Sequence, residues 1–305
     1  MVAAALRNQR LPRRLHRPLL PTKHQPQRPL PPTEPQPQRL LPPNERNDPL
    51  RMVFRQGRGS VESRPFFRLP HMIKIRQPSP FVPSLFFPDA RTADDNGLVA
   101  LGGDMTPVVL YDAYVHGIFP WPFSGAGLGP PNRLGWFSPN PRGVFEFETF
   151  HIPKRLARLC RSGRFRITSN RNFRGVLLGC ALTPYRDGIS WVTPSLYQAY
   201  LRLYSLGFAH SVEAWLDDRL VGGVYGVAIN GFFAAESMFR IETNASNVAL
   251  VALTEHLKAC GYRLFDIQMI TPHTARFGAV DISRDEYLQR LHDALQIPTI
   301  FDDKR

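Results

Sequence analysis

Proline is distributed so unevenly along this chain that only part of it can fold. Sixteen of the 30 prolines fall within residues 1–80, in runs such as Pro29-Leu30-Pro31-Pro32 and Pro35-Gln36-Pro37-Gln38. A residue with fixed φ and no N–H donor stops helix and sheet from propagating. The same 80 residues carry 16 Lys+Arg against 4 Asp+Glu, which leaves 22 against 21 for residues 81–305. The strong positive charge therefore belongs to this segment and not to the fold. Residues 1–78 are read as a disordered, basic, Pro-rich extension with weak affinity for polyanions. An Arg-rich, acid-poor start also fits a transit peptide, or a true initiator at Met52 or Met72.

The rest of the chain is punctuated as a folded protein. Residues 79–148 read as a small domain, irregular and dense in Gly, Pro and aromatics, with one helix from about Pro107 to His116. Pro107 suits the first helical position and Gly117 stops the helix. Pro120-Trp121-Pro122 reads as loop. Residues 149–305 form the larger domain. Helices are expected over about 153–160 and over 194–206, the latter capped by Thr193 and ended by Gly207. Strands over 210–216, 219–229 and 232–239 make a meander, with Asn230-Gly231 as the hairpin signal. A helix over about 245–260 closed by Gly261, a strand over 262–268 and a last helix opened by Ser283-Arg284-Asp285-Glu286 complete an α+β pattern.

No run approaches 18 uncharged apolar residues, so no membrane span is expected. Cys160, Cys180 and Cys260 are odd in number and widely spaced. That spacing argues against a disulfide framework or zinc site and for a reducing cytoplasm.

Three polar placements go beyond packing. Glu236 stands in the otherwise apolar Phe232-Phe233-Ala234-Ala235-Glu236-Ser237-Met238-Phe239. There a carboxylate either points to water or needs a partner. Asp266 and Gln268 are two apart in a strand, hence on one face, where an acceptor-only carboxylate beside an amide can bind and orient an amine. A solvated strand face is the other reading. Lys154, Arg155, Arg158, Arg161, Arg164, Arg166, Arg171 and Arg174 put eight cations in 21 residues with no acid among them. Lys154, Arg158 and Arg161 share a helix face; a charge run is usually a solvated face, but one with no compensating acid suits phosphate. Trp121 and Trp136 lie in Gly/Pro-rich sequence, where a large ring has less core to join; stacking on a base is one use, and ordinary core packing is the commoner one.

Beyond single residues, the chain carries a series of ordered motifs from about 81 to 295: Gly97-Leu98-Val99-Ala100-Leu101-Gly102-Gly103-Asp104, Gly117-Ile118-Phe119-Pro120-Trp121, Trp136-Phe137-Ser138-Pro139-Asn140-Pro141-Arg142, Ala209-His210-Ser211-Val212-Glu213-Ala214-Trp215, Leu220-Val221-Gly222-Gly223-Val224-Tyr225-Gly226-Val227-Ala228, Glu236-Ser237-Met238-Phe239 and Asn244-Ala245-Ser246. Together they resemble the leucyl/phenylalanyl-tRNA-protein transferase family.

The resemblance implies a small N-terminal domain followed by a larger acetyltransferase-like (GNAT-related) domain. It also implies transfer of Leu or Phe from leucyl-tRNA or phenylalanyl-tRNA to proteins with N-terminal Arg or Lys, as a signal for N-end-rule degradation. Aminoacyl-tRNA is the substrate, and no cofactor or metal is expected. Carried over, Asp266 would hold the acceptor's basic residue and position Gln268, whose carbonyl draws on the α-amine. Glu236 would hydrogen-bond in the same site. Met238 and Phe265 would line the aminoacyl pocket. Trp136 and Trp191 would stack near the tRNA adenosine, and Lys154, Arg155, Arg158, Arg161, Arg164 and Arg166 would meet its phosphates. A monomer is the default expectation.

Departures from the family pattern are Arg240, Asn247, Thr271, Phe137 and Ala235, of which Arg240 adds a cation near Glu236. An acyl-CoA-dependent N-acetyltransferase would need an Arg/Gln-x-x-Gly-x-Gly/Ala loop before a helix, and Arg276-Phe277-Gly278-Ala279 has the wrong spacing. A non-enzymatic nucleic-acid-binding protein would account for the basic tail but not for the folded motifs.

Overall fold

The computed structural model describes residues 78–123, 133–183 and 192–301. The disordered extension expected over 1–78 therefore lies, but for its last residue, outside the described residues, as does Trp191. All described residues belong to one compact unit.

Among the described residues there are two sheets. The smaller is built from β1 (Leu98–Leu101), β2 (Phe119–Phe123) and β3 (Arg133–Phe137) in the order β1-β3-β2. The segment expected to be loop at Pro120-Trp121-Pro122 is strand β2, with Pro120 opposite Trp136 and Pro122 opposite Leu134. Two prolines are tolerated because β2 is an edge strand, whose outward N–H positions need no ladder partner. Trp121 and Trp136 are consequently core residues, not loop residues. Helix α1 (Pro107–Val115) packs beside β2, its first turn capped by the Thr106 hydroxyl, which accepts from the Val109 N–H.

The larger sheet has seven strands in the order β10-β4-β9-β8-β7-β6-β5. They are β4 (Arg142–Phe145), β5 (Arg166–Ser169), β6 (Ala209–Leu216), β7 (Arg219–Ile229), β8 (Phe232–Arg240), β9 (Leu264–Gln268) and β10 (Val280–Ile282). The β6–β7–β8 meander stands as the turn signals imply, with Asn230 in the left-handed conformation at the β7–β8 turn. Helix α5 (Ala245–Cys260) then crosses over and returns β9 parallel to β8. On one face lie α2 (Lys154–Arg161) and α5. On the other lie α3 (Phe173–Leu182), α4 (Pro194–Ser205) and α7 (Arg284–Leu295), each face closing over its own apolar cluster.

Helix α3 carries weak sequence signals, because Gly175 and Gly179 lower its propensity. Packing explains one of them. A Cβ at Gly179 would sit 2.6 Å from the Phe239 ring, so only glycine lets α3 approach β8. A short helix α6 (Pro272–Ala275), capped by Thr271, follows β9.

Candidate active site

The pairing of β8 with β9 runs only from Phe232/Leu264 to Ala234/Asp266. Glu236 and Gln268 stand just past the point where these two parallel strands part, and both sit at backbone irregularities. In β8 the register jumps from Ser237 opposite Tyr225 to Ala235 opposite Gly226, so Glu236 is the extra residue of a bulge. A bulge re-aims a side chain and reverses the strand's alternation beyond it. The alternation that left Glu236 open to either reading is thus broken at Glu236 itself. The bulge requires Gly226, since a Cβ there would lie 2.2 Å from the Ala234 carbonyl oxygen. Gln268 has φ of 62° and is the central residue of a tight turn in which the Met269 N–H donates to the Ile267 carbonyl at 2.7 Å. A non-glycine residue held there stores about 1–3 kcal/mol of strain, which persists only where its surroundings enforce it.

The enforcing group is Asp266. It is fully buried, and its Oδ1 accepts from the Gln268 backbone N–H at 2.8 Å. Its other donors come from afar in sequence. Arg142 on β4 grips it with Nε to Oδ1 at 2.9 Å and Nη2 to Oδ2 at 2.7 Å, and the Tyr287 hydroxyl donates to Oδ2 at 3.0 Å. Arg142 also donates to the Gly117 carbonyl at 2.9 Å and lies over the Tyr287 ring. Burial opposes the Arg142 charge, but Asp266 and Tyr287 more than offset it and hold the guanidinium above its usual range. Asp266 is thus spoken for within the chain. Arg142 was missed as a site residue, although the need of a buried carboxylate for a cation was the available signal.

Glu236 is buried. Its Oε2 accepts from the Tyr200 hydroxyl at 2.9 Å, Tyr200 meets the Tyr114 hydroxyl at 2.7 Å, and Oε1 lies 3.5 Å from Gln268 Nε2. Burial pushes the Glu236 carboxyl up to about 7, against the stabilising hydroxyls of Tyr114 and Tyr200. Gln268 is 1 % exposed, and among the described residues nothing donates to its Oε1. An unpaired buried carbonyl oxygen costs about 1–3 kcal/mol, so this acceptor is one a ligand's N–H would satisfy.

The other expected site residues are placed differently. Met238 and Phe265 pack in the second apolar cluster, on the face opposite Glu236, Met238 partly buried and Phe265 fully. Trp136 is buried, with its Nε1–H donating to the Gly102 carbonyl at 2.8 Å and its ring against Phe87 at 4.6 Å. Lys154, Arg155, Arg158 and Arg161 are exposed on α2, with Leu156 turned inward. Arg164 and Arg166 are also exposed, but they meet acids distant in sequence, Glu242 just after β8 at 3.6 Å and Asp218 in the β6–β7 turn at 3.7 Å. The absence of local acids in sequence hid these partners. Surface pairs of this kind are worth about 0–1 kcal/mol and leave the cations available.

Comparison with known proteins matches residues 144–292 to the model described as leucyl/phenylalanyl-tRNA protein transferase, and residues 103–140 to the N-terminal domain of the same protein type. A leucyl/phenylalanyl-tRNA–protein transferase of Nitratidesulfovibrio vulgaris (strain DP4) is 46 % identical over 214 residues, 70 % of this chain and 89 % of that protein. The chain belongs to the leucyl/phenylalanyl-tRNA protein transferase family. A relative of the same name from Magnetococcus marinus is 46 % identical over 217 residues, 70 % of this chain and 89 % of its own length. Another from Anaeromyxobacter sp. (strain K) is 41 % identical over 238 residues, 77 % and 94 % of the two chains. The two family segments meet at the short stretch 141–143, so Arg142, which ties Gly117 of the N-terminal segment to Asp266 of the other, sits at their junction.

Proposed function

We propose that this protein transfers Leu or Phe from aminoacyl-tRNA to the N-terminal Arg or Lys of acceptor proteins, forming a peptide bond that marks them for N-end-rule degradation. The observation that carries the mechanism is the buried, unpartnered Gln268 Oε1 beside Glu236. The aminoacyl ester is already activated, so the enzyme has mainly to hold a neutral amine against the ester carbonyl. Gln268 Oε1 accepts one amine hydrogen and turns the nitrogen lone pair toward that carbon. The C–N bond forms, the C–O bond to the ribose breaks, and the amine proton ends on the ribose oxygen that leaves. This sequence needs neither ATP nor metal. Asp266, engaged by Arg142 and Tyr287, acts by fixing the Gln268 turn.

The early end of β8–β9 pairing supports an acetyltransferase-like cleft, in which parallel strands part to admit the donor. Met238 and Phe265 lie on the sheet face away from Glu236 and Gln268, so the Leu or Phe side chain is not seated on them. The exposed cations Lys154, Arg155, Arg158 and Arg161, with Arg164 and Arg166 at the following strand, take the tRNA phosphates. Trp136 is core and supports the N-terminal sheet rather than a base, and Trp191 lies outside the described residues. We place the protein in the cytoplasm as a monomer. The three thiols are free, and among the described residues no helix is long and apolar enough to cross a membrane.

The test is a donor and acceptor matrix: radiolabelled Leu-tRNA, Phe-tRNA or acetyl-CoA against peptides beginning with Arg, Lys or Ala. Label passing from either tRNA to Arg and Lys peptides alone is the expected result. Transfer from acetyl-CoA and from neither tRNA would overturn the reading in favour of an acetyltransferase.

A further inference from the structure

Resting on that function, we infer that Arg240 and the first turn of α5 form a subsite for one ribose phosphate of the tRNA 3′ end. Helix α5 starts at Ala245 without a side-chain cap, after Asn244 at φ of 67°. The Ala245 and Val248 N–H groups donate to the Glu242 and Asn244 carbonyls, but among the described residues nothing accepts from the N–H groups of Ser246 and Asn247. Two unclaimed donors at the positive end of a 16-residue helix suit an anion. Asn247 adds an independent pointer to a ligand. It is 6 % exposed, its Nδ2 reaches back to Asn244 Oδ1 at 3.0 Å across the helix start, and its Oδ1 is buried without a donor. A bare phosphate cannot meet that need, because its ionised oxygens only accept. A phosphate with a sugar hydroxyl beside it can.

Arg240 supplies the charge. It ends β8 on the same face as Met238, which is the α5 face, and stands opposite Gly222. A Cβ on Gly222 would lie 2.9 Å from the Ser246 nitrogen, and opposed Cβ atoms are about 5 Å apart, so Arg240 starts within about 8 Å of the free N–H groups. Its side chain is exposed, and Glu242, the acid nearest in sequence, is paired with Arg164. That pair also joins the subsite to the α2 cations. From Glu236 to Arg240 the strand runs about 13 Å along an edge of β8 that β9 has left open. On the β9 side, His273 of α6 has its Nε2 buried without a partner. Burial, and then the Arg276 and Arg240 charges, hold its imidazole below the usual value, which places both guanidiniums at this mouth. A diphosphate carrier such as coenzyme A would need a glycine-rich turn, and Ile241-Glu242-Thr243-Asn244 contains no glycine. Arg240 and Asn247 both depart from the family pattern, so the subsite belongs to this chain's own residues.

The test is a binding cycle with unacylated tRNA, which requires no transfer. A tRNA whose last or penultimate phosphodiester is a neutral methylphosphonate should bind the wild type about ten-fold more weakly than unmodified tRNA. Against Arg240→Gln the same modification should cost less than about two-fold, and the salt slope of that variant for unmodified tRNA should be smaller by about 1. Removing the 2′-hydroxyl of a terminal nucleotide should likewise weaken the wild type and leave Asn247→Leu unaffected. Equal losses from the neutral linkage in the wild type and Arg240→Gln, or no loss in either, would overturn the inference. Competition by coenzyme A that disappears in Arg240→Gln would assign the subsite to a diphosphate carrier and overturn it as well. A wild-type protein that shows the binding cycle but transfers nothing would refute the proposed function and leave the subsite standing.

Discussion

Replacing Arg142 by methionine should cost more stability than any other single change at the site. The guanidinium is 1 % exposed and makes two charge-assisted hydrogen bonds to Asp266, one to the Gly117 carbonyl and one to the Tyr287 hydroxyl. Methionine fills much of the volume but leaves the Asp266 carboxylate buried with only Tyr287 and the Gln268 N–H to face it. Removing one member of such a pair costs about 3–5 kcal/mol. That is a large share of a total stability of about 5–15 kcal/mol. For a folded part of this size it corresponds to a fall in Tm of roughly 6–20 °C. Urea unfolding of the wild type, Arg142→Met, Asp266→Asn and the double variant would measure it. The double variant should be less destabilised than the sum of the singles, since it leaves no unpaired charge. A loss below about 1 kcal/mol in Arg142→Met would refute the view that this pair anchors the site.

Three further outcomes follow from the same geometry. The Glu236 carboxyl is raised by burial to about 7, so the native state holds a proton that the unfolded state releases near pH 4.5. Stability from this group is complete below about pH 4.5 and falls by about 3 kcal/mol as pH rises to about 7, and urea midpoints of Glu236→Gln should lack that decline. Gly226→Ala would press a Cβ to 2.2 Å from the Ala234 carbonyl oxygen, and since backbone cannot swing aside the cost should be at least about 1–3 kcal/mol by thermal unfolding, with transfer activity lost as the Glu236 bulge is displaced. Changing Lys154, Arg158 and Arg161 together to Ala should lower the salt slope of tRNA binding by about 2–3, read from titrations at several salt concentrations. An unchanged slope would remove α2 from the interface.

What the sequence declares is local. Thr193, Ser283 and Gly261 mark helix ends because the capping groups lie within a few residues, and the Thr193 and Ser283 hydroxyls do accept from the N–H groups of Leu196 and Glu286. Asn230-Gly231 gives the β7–β8 turn for the same reason. Residues 98–145 were harder, because Gly and Pro are frequent among them and break the apolar periodicity. Only the edge position of β2, a tertiary fact, makes Pro120 and Pro122 compatible with a strand. At the site, Asp266, Gln268 and Glu236 stood out as polar groups in apolar strands, and the structure brings these three together. Their partners did not stand out. Arg142 lies 124 residues from Asp266, and Tyr200 lies 36 from Glu236. Nor could alternation place Met238, since the bulge at Glu236 reverses the faces of the residues after it.

The central claim is that the buried Gln268 carbonyl oxygen receives the acceptor amine. Single-turnover transfer of labelled Phe from Phe-tRNA to an Arg peptide, compared between wild type and Gln268→Ala under saturating tRNA, tests it most directly. The account predicts a loss of at least about a hundred-fold in the transfer rate with unchanged affinity for Phe-tRNA. Transfer at the wild-type rate by a folded Gln268→Ala protein would contradict it.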